Sequence, residues 1–317
     1  MKVLRTTPES DIARVYVAEL EDGSRIEFVQ SVQPPLNRSQ KWVLILSTLK
    51  GCPVDCPICD AGGSYNGIIS AEEMLAQIDY LVDSFYPRGV IEVEKWKLQF
   101  ARMGDPLFNF AVPEVLRVIP ERYQVTGRTI VSLSTIAPHN CLEQLQEIVR
   151  IKDQYYSGGN FQFQFSLHTT CEQERRKLVP VKTLSFSQMA QFGQYFQRPG
   201  DQKITLNFAA VQGFPLEADK LARIFSPKHF LIKLTPVNPT FSSRKNKLKG
   251  VIEPGNRKNN LKIINLFKRA GYDVILSIGD LQENEIGSNC GMYSNSDSDC
   301  QVSQTESAFT KDLSCAD

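Results

Sequence analysis

No stretch of this chain approaches the run of about eighteen apolar residues that a membrane-crossing helix needs. Residues 1–7 also lack the apolar core of a secretory signal, so the sequence reads as cytoplasmic. A strong charge of either sign is missing too: 36 Lys and Arg stand against 35 Asp and Glu, a formal net charge of +1. That excludes a surface that attracts nucleic acid all over and leaves only local basic patches. There is no G-x-G-x-x-G dinucleotide fingerprint and no internal repeat, and the whole chain holds three histidines. Eight cysteines are present, but clustered cysteines in a reducing compartment point to metal ligation or catalysis before disulfides. At 317 residues and 42% hydrophobic content the chain can bury a core without covalent staples.

Against these absences the chain shows alternating strand and helix signals. Residues 13–18 and 25–29 flank Glu21-Asp22-Gly23-Ser24, an Asp-Gly turn that predicts an N-terminal β-hairpin. Strand runs follow at 43–48, 96–101, 129–134, 161–167, 204–210, 230–234 and 274–277. Helices are predicted at 71–85 behind a Ser70/Glu73 capping box and at 186–196 behind Ser185/Gln188. Two further amphipathic segments run over 216–225 and over 261–270, the latter stopped by Gly271. Such alternation argues for an α/β fold built on a parallel sheet or a partial barrel, with functional residues just after the strands. The expected division is a hairpin extension over 1–38, a barrel over 39–292 and a polar, flexible tail over 293–317.

The densest chemistry lies directly after the first of these strands. Gly51-Cys52-Pro53-Val54-Asp55-Cys56-Pro57-Ile58-Cys59 spaces three thiols as C-x3-C-x2-C. Three cysteines on one short loop can ligate three irons of a 4Fe–4S cubane and leave the fourth iron open to a chelating molecule. Zinc is the alternative, but a structural zinc site takes four protein ligands, and the nearest histidine in sequence is His139. Unligated cysteines are the third reading.

This motif resembles that of the radical S-adenosylmethionine (SAM) enzymes, which have a partial (β/α)6 barrel. Ile58 stands where those enzymes usually carry an aromatic residue. The closer resemblance, from about Val15 to Tyr293, is to the branch that methylates C2 or C8 of adenine in RNA. Leu20-Glu21-Asp22-Gly23-Ser24-Arg25-Ile26-Glu27-Phe28-Val29 is similar to that branch's segment before the cluster. Met103-Gly104-Asp105-Pro106-Leu107-Phe108-Asn109 is similar to its MGEPLxN motif, with Asp for Glu. Ser132-Leu133-Ser134-Thr135, Ser166-Leu167-His168 and Leu178-Val179-Pro180-Val181 resemble its TLST, SLH and VPI segments. Leu234-Thr235-Pro236-Val237-Asn238-Pro239 and Ile286-Gly287-Ser288-Asn289-Cys290-Gly291 resemble its LIPxNP and IxAACG segments.

The resemblance implies a methyltransferase that uses a 4Fe–4S cluster on Cys52, Cys56 and Cys59, with SAM as the second cofactor. It implies that Gly104 and Asp105 hold the SAM amino group. Ser134, Ser166, Leu167, His168 and Asn238 would contact its ribose, carboxylate and adenine. In the family the cysteine matching Cys290 is methylated by one SAM, and a radical from a second SAM takes hydrogen from that methyl. The resulting carbon radical then adds to an sp2 carbon that polar methyl transfer cannot reach, and the residue matching Glu27 is the general base. Read alone, these residues have plainer meanings: His168 a core histidine, Asp105 a turn residue, Cys290 an inert thiol, Glu27 a solvated charge. The implied partners are a one-electron donor such as flavodoxin or ferredoxin, and RNA.

The sequence also departs from that pattern. A second family cysteine, which resolves the adduct, corresponds to Ile45 here. A thiolate can attack an adduct sulfur and an isoleucine cannot, which leaves Cys171, Cys300 and Cys315 as replacements. The family's N-terminal helical domain and the basic residues before its Cys-Gly are not matched. Arg244, Lys245, Lys247, Lys249, Arg257 and Lys258 form a basic loop, 244–258, able to meet phosphates. Two other classes stay open: a radical SAM enzyme that uses no methylcysteine, and a non-catalytic iron–sulfur module.

Overall fold

The period-two runs of the sequence pair into one sheet in the computed structural model, which describes residues 1–8 and 10–279 together with Gln282, Ile286 and Tyr293. Three N-terminal strands, β1 (Lys2–Thr6), β2 (Ala13–Glu19) and β3 (Arg25–Ser31), pair antiparallel in succession. The Asp-Gly turn closes as its sequence requires. Gly23 takes φ +81°, and Asp22 Oδ1 accepts the Ser24 N–H at 2.9 Å. β4 (Trp42–Leu46) lies antiparallel to β3 and parallel to β6 (Lys95–Phe100). β8 (Arg128–Thr135), β9 (Phe161–Ser166), β10 (Ile204–Ala209), β11 (Phe230–Thr235) and β12 (Val274–Leu276) continue in parallel. The sheet has ten strands in the order β1-β2-β3-β4-β6-β8-β9-β10-β11-β12. Two-residue strands β5 (Val90–Ile91) and β7 (Gln124–Val125) pair separately.

Parallel neighbours need crossovers. These are supplied by α1 (Ala71–Phe85), α2 (Val112–Arg122), α3 (Leu142–Tyr155), α5 (Phe186–Phe196), α6 (Ala218–Ala222) and α8 (Arg257–Arg269). Short helices α4 (Glu172–Arg175) and α7 (Phe241–Lys245) decorate two of the connections. None of the helices among the described residues is long and apolar enough to cross a membrane.

Strand alternation sorts the two faces of the sheet. Trp96, Leu98 and Phe100 of β6, and Phe161, Phe163 and Phe165 of β9, are at most 1% exposed. They build the core with Met74, Ile78 and Leu81 of α1 and with Phe192 and Phe196 of α5. The other face presents Lys97 and Gln99, then Ser132 and Ser134, Gln162 and Gln164, Thr205 and Asn207. A closed barrel usually fills this space with branched apolar side chains; here it is polar and encloses a cavity.

All seven parallel strand runs and the hairpin read from the sequence are present, within two residues of the expected ends. The extension has one more strand than expected, β1, and it belongs to the same sheet as the barrel. Over 216–225 the expected helix shortens to α6, since Glu217 makes no side-chain cap. α8 begins earlier than read, because Asn256 Oδ1 accepts the Asn259 N–H at 3.2 Å. The segment 244–258 is not a bare loop: it holds the end of α7 and the start of α8. The tail expected from 293 onward lies, apart from Tyr293, outside the described residues.

Candidate active site

The cysteines occupy the connection between β4 and α1, which folds back on itself through Lys50 N–H to Gly67 O (2.9 Å) and Asn66 N–H to Lys50 O (2.7 Å). Gly51 makes this fold possible: its φ is +84°, and a Cβ there would lie 2.0 Å from the Ser64 carbonyl oxygen. Asn109 pins both roots of the loop, its amide donating to Thr48 O and to Ile69 O at 2.7 Å each. Gln77 of α1 holds the entering strand, accepting the Ser47 N–H at 2.9 Å and donating to Ser47 O at 3.0 Å. On the far side α7 is clasped to the loop. Asp60 accepts the N–H groups of Phe241 (2.9 Å) and Ser242 (2.8 Å), and Thr240 Oγ1 donates to Ile58 O at 3.1 Å.

Cys52, Cys56 and Cys59 open onto a cavity of about 760 Å³ that is also lined by Gly104, Asp105, Ser134, Ser166, His168 and Asn238. Of the residues expected around SAM, only Leu167 turns away; it is fully buried, while its N–H donates to Asn207 O at 3.0 Å. Gly104 stands in a left-handed turn (φ +84°), where a Cβ would come within 2.3 Å of the Leu49 side chain. The Asp105 carboxylate accepts from Thr135 Oγ1 (2.8 Å), Leu107 N–H (2.9 Å) and Ile136 N–H (2.6 Å). It therefore ties the Met103-Gly104-Asp105-Pro106 turn to the end of β8. Burial outweighs those hydrogen bonds and pushes Asp105 up to about 6.

His168 is 7% exposed and has φ +66°. Its Nδ1 accepts the Ala209 N–H at 3.1 Å, which assigns the ring hydrogen to Nε2. Burial first, and Arg175 second, hold the imidazole down to about 3, so it is neutral at physiological pH. Arg175 is 2% exposed and braces two strand ends, donating at 2.8 Å to Ile136 O and to Ser166 O. Burial lowers even this guanidinium to about 10.

The donor set suits an iron–sulfur cubane. Three half-buried thiols sit on one loop at the carboxyl ends of the strands. An apolar cluster lies beside them, with Val54, Ile136, Leu178, Val179 and Val211 buried and Ile58 packed against it. Burial, then the neighbouring Cys52 and Asp105, pushes the Cys56 thiol up to about 12, an environment that calls for a cationic group. Among the described residues no three Cys, His, Asp or Glu side chains converge on a single metal ion, whereas cubane ligands each take a separate iron. His139 is exposed and does not line the cavity.

Glu27 is not the solvated charge that the hairpin alone suggests: it is fully buried. Arg102 donates through Nε (3.1 Å) and Nη2 to its Oε2, and the Tyr293 N–H donates to its Oε1 at 2.8 Å. Arg102 lines the cavity and Glu27 lies behind it. Ile45 also lines the cavity, but Cys171 does not: its Sγ donates to Gln173 Oε1 at 3.3 Å. Cys290, Cys300 and Cys315 lie outside the described residues. Sequence reasoning missed Asn109, although it closes a motif already singled out. It also missed Gln77, Asp60, Arg102 and Arg175, whose partners lie 30 or more residues away for Gln77 and Arg102, and 181 for Asp60.

No family model matches the chain. It is 26% identical over 241 residues to a protein of Pseudothermotoga lettingae named "Probable dual-specificity RNA methyltransferase RlmN", covering 72% of this chain and 63% of that one. A protein of the same name from Microcystis aeruginosa is 27% identical over 238 residues, covering 72% and 64%. The chain thus spans a little under two thirds of the length of these relatives. In three dimensions it is similar to a radical SAM methyltransferase from Sphaerobacter thermophilus, with a TM-score of 0.70 and 18% identity over 93% of this chain and 81% of that one. The fold is therefore the one a radical SAM methyltransferase has, and the sequence resembles the RNA-methylating branch of that superfamily.

Proposed function

We propose that the chain is a radical SAM methyltransferase acting on an unreactive sp2 carbon, with adenine in RNA as its substrate. The observation that carries this reading is the meeting of the three cysteines with Gly104, Asp105, Ser134, Ser166, His168 and Asn238 around one cavity. Cys52, Cys56 and Cys59 would hold a 4Fe–4S cluster, and when bound it would pass one electron to SAM and so supply a radical able to take hydrogen from an unactivated C–H. The chain's own residues orient the cofactor. The turn at Gly104 brings backbone close to the loop at Leu49. Asp105 offers carboxylate oxygens to an ammonium. His168 offers a single donor, Nε2–H, whose protonation does not change near neutral pH.

Cys290 is assigned as the methyl carrier and Glu27 as the proton acceptor, by resemblance. Protonating Glu27 would weaken its ion pair with Arg102, so a proton taken from the adduct comes at the expense of that pair. RNA is favoured by the basic segment at 244–258. Arg244, Lys245, Lys247, Lys249, Arg257 and Lys258 are all exposed, and α7 is fastened to the cysteine loop through Asp60. Phosphates bound there would bring a base to the cavity mouth. The electron donor is of the flavodoxin or ferredoxin kind.

The test is anaerobic incubation of the reconstituted protein with methyl-labelled SAM, a reductant and total cell extract. Label in RNA, lost on Cys52→Ala and on Cys290→Ala, is the expected result, together with a one-methylene mass gain on Cys290. Label confined to protein or small molecules removes the RNA substrate. A preparation whose three cysteines bind zinc removes the whole reading.

A further inference from the structure

The face of the sheet that lines the cavity carries a feature the methyl-transfer reading does not use. Lys97, in the first half of β6, lines the lumen two residues below Gln99, nearer the amino ends of the strands than the cysteine loop. No hydrogen bond or ion pair reaches its Nζ among the described residues. The strands around it offer neutral polar groups at these levels: Ser132 and Ser134 of β8, Gln162 and Gln164 of β9, Thr205 and Asn207 of β10. Among the described residues, the charged groups that act on it are cationic: Lys41 ahead of β4, Lys95 of β6 and Lys233 of β11. Asn207 adds a second unmet demand, for its Oδ1 is buried in the same lumen with no hydrogen-bond partner among the described residues.

We infer that the lumen below the cysteine loop is a binding site for the phosphate end of a small polar ligand, with Lys97 as its counter-ion and Asn207 Oδ1 taking an N–H or O–H of the same molecule. A half-buried ammonium whose described neighbours are cations, hydroxyls and amides is stabilised most by an anion, and a phosphate also accepts from the surrounding hydroxyl and amide groups. Burial, then Lys41, Lys233 and Lys95, lowers Lys97 from 10.5 to about 7, a penalty that a bound anion relieves. The cavity, about 760 Å³, is in the range that encloses small molecules, so cofactor and ligand can share it. The inference rests on the proposed reading only in placing the cofactor in the same cavity; the phosphate preference and its loss in Lys97→Met are read without methyl transfer.

The experiment is calorimetric titration of the full chain with adenosine 5′-monophosphate and with adenosine, S-adenosylhomocysteine being present at saturation. The monophosphate is expected to bind at least about tenfold more tightly, the worth of one charge-assisted hydrogen bond, and inorganic phosphate to compete with it. Lys97→Met is expected to erase that preference. Lys97→Arg, always charged, is expected to keep it and to hold it above pH 8, where the wild type loses it. Equal binding of the two ligands, binding of neither, or a preference that survives Lys97→Met overturns the site. So does an equal loss of S-adenosylhomocysteine affinity in Lys97→Met, which would give the lysine to the cofactor's own carboxylate. Unchanged melting temperatures establish that the variants are folded.

Discussion

His168 combines three constraints in one side chain: a left-handed backbone, a ring nitrogen fixed by the Ala209 N–H, and burial that keeps the ring neutral. The folded protein leaves it unprotonated down to about pH 3, whereas the unfolded chain protonates it near 6.5. Between those values the unfolded state binds the extra proton, so this residue makes stability fall as the pH falls. Asp105, raised to about 6 from 3.8, acts in the opposite sense, since the folded state takes its proton first. His168→Gln, which keeps an acceptor for Ala209, is expected to lose less stability than the wild type between pH 6.5 and pH 5, measured by urea unfolding. A steeper acid limb in the variant would contradict the assignment of a neutral, buried ring.

Among the elements, α2 is held together from outside. Pro120 lies within it and has no N–H to give to the Leu116 carbonyl one turn back. The Tyr156 hydroxyl, from the end of α3, donates to that carbonyl at 2.6 Å instead. Tyr156→Phe removes the donor and keeps the ring, so the expected loss is about 1–3 kcal/mol for a buried carbonyl left unpaired. A melting temperature equal to the wild type would refute that role. The hold of the cysteine loop on α7 is tested in the same way. Asp60→Ala removes the acceptor for two backbone N–H groups at the start of α7, a loss of about 1 kcal/mol. If the basic segment meets RNA, the same change is expected to weaken binding of a single-stranded RNA and to flatten its dependence on salt. An unchanged salt slope would argue that the phosphates bind elsewhere.

Across the molecule, the N-terminal strands do more than lengthen the sheet. Glu27 of β3 and Arg102, just beyond β6, form a fully buried ion pair that also holds the backbone of Tyr293. Arg5 of β1 stacks its guanidinium over the Tyr293 ring with 5.6 Å to the centroid. Ile12, Ala13, Val15 and Val29 are buried together, with Ile45, Ile286 and Tyr293 packed against them. Tyr293 is thus fastened to the strands that begin the chain. Arg102→Met strands a buried carboxylate and is expected to cost about 3–5 kcal/mol. Pairing it with Glu27→Leu is expected to return much of that loss, in a double-mutant cycle read by denaturant unfolding. Simple additivity of the two losses would mean that the pair does not act as a unit.

The parallel strands, the capping boxes at Ser70 and Ser185 and the cysteine spacing are local patterns, and the sequence alone was enough to read them. Helices α2 and α3 carry no such local signal, since one contains Pro113 and Pro120 and the other starts behind Cys141 without a side-chain cap. The resemblance likewise marked Gly104, Asp105, Ser134, Ser166, His168 and Asn238 one motif at a time. Tertiary structure alone decided that these share a cavity with the cysteines, that Glu27 is buried against Arg102, and that Lys97 faces the lumen with no counter-ion among the described residues. The physical reason is that a strand pattern fixes which side chains share a face, while the curvature and order of the whole sheet fix what that face encloses.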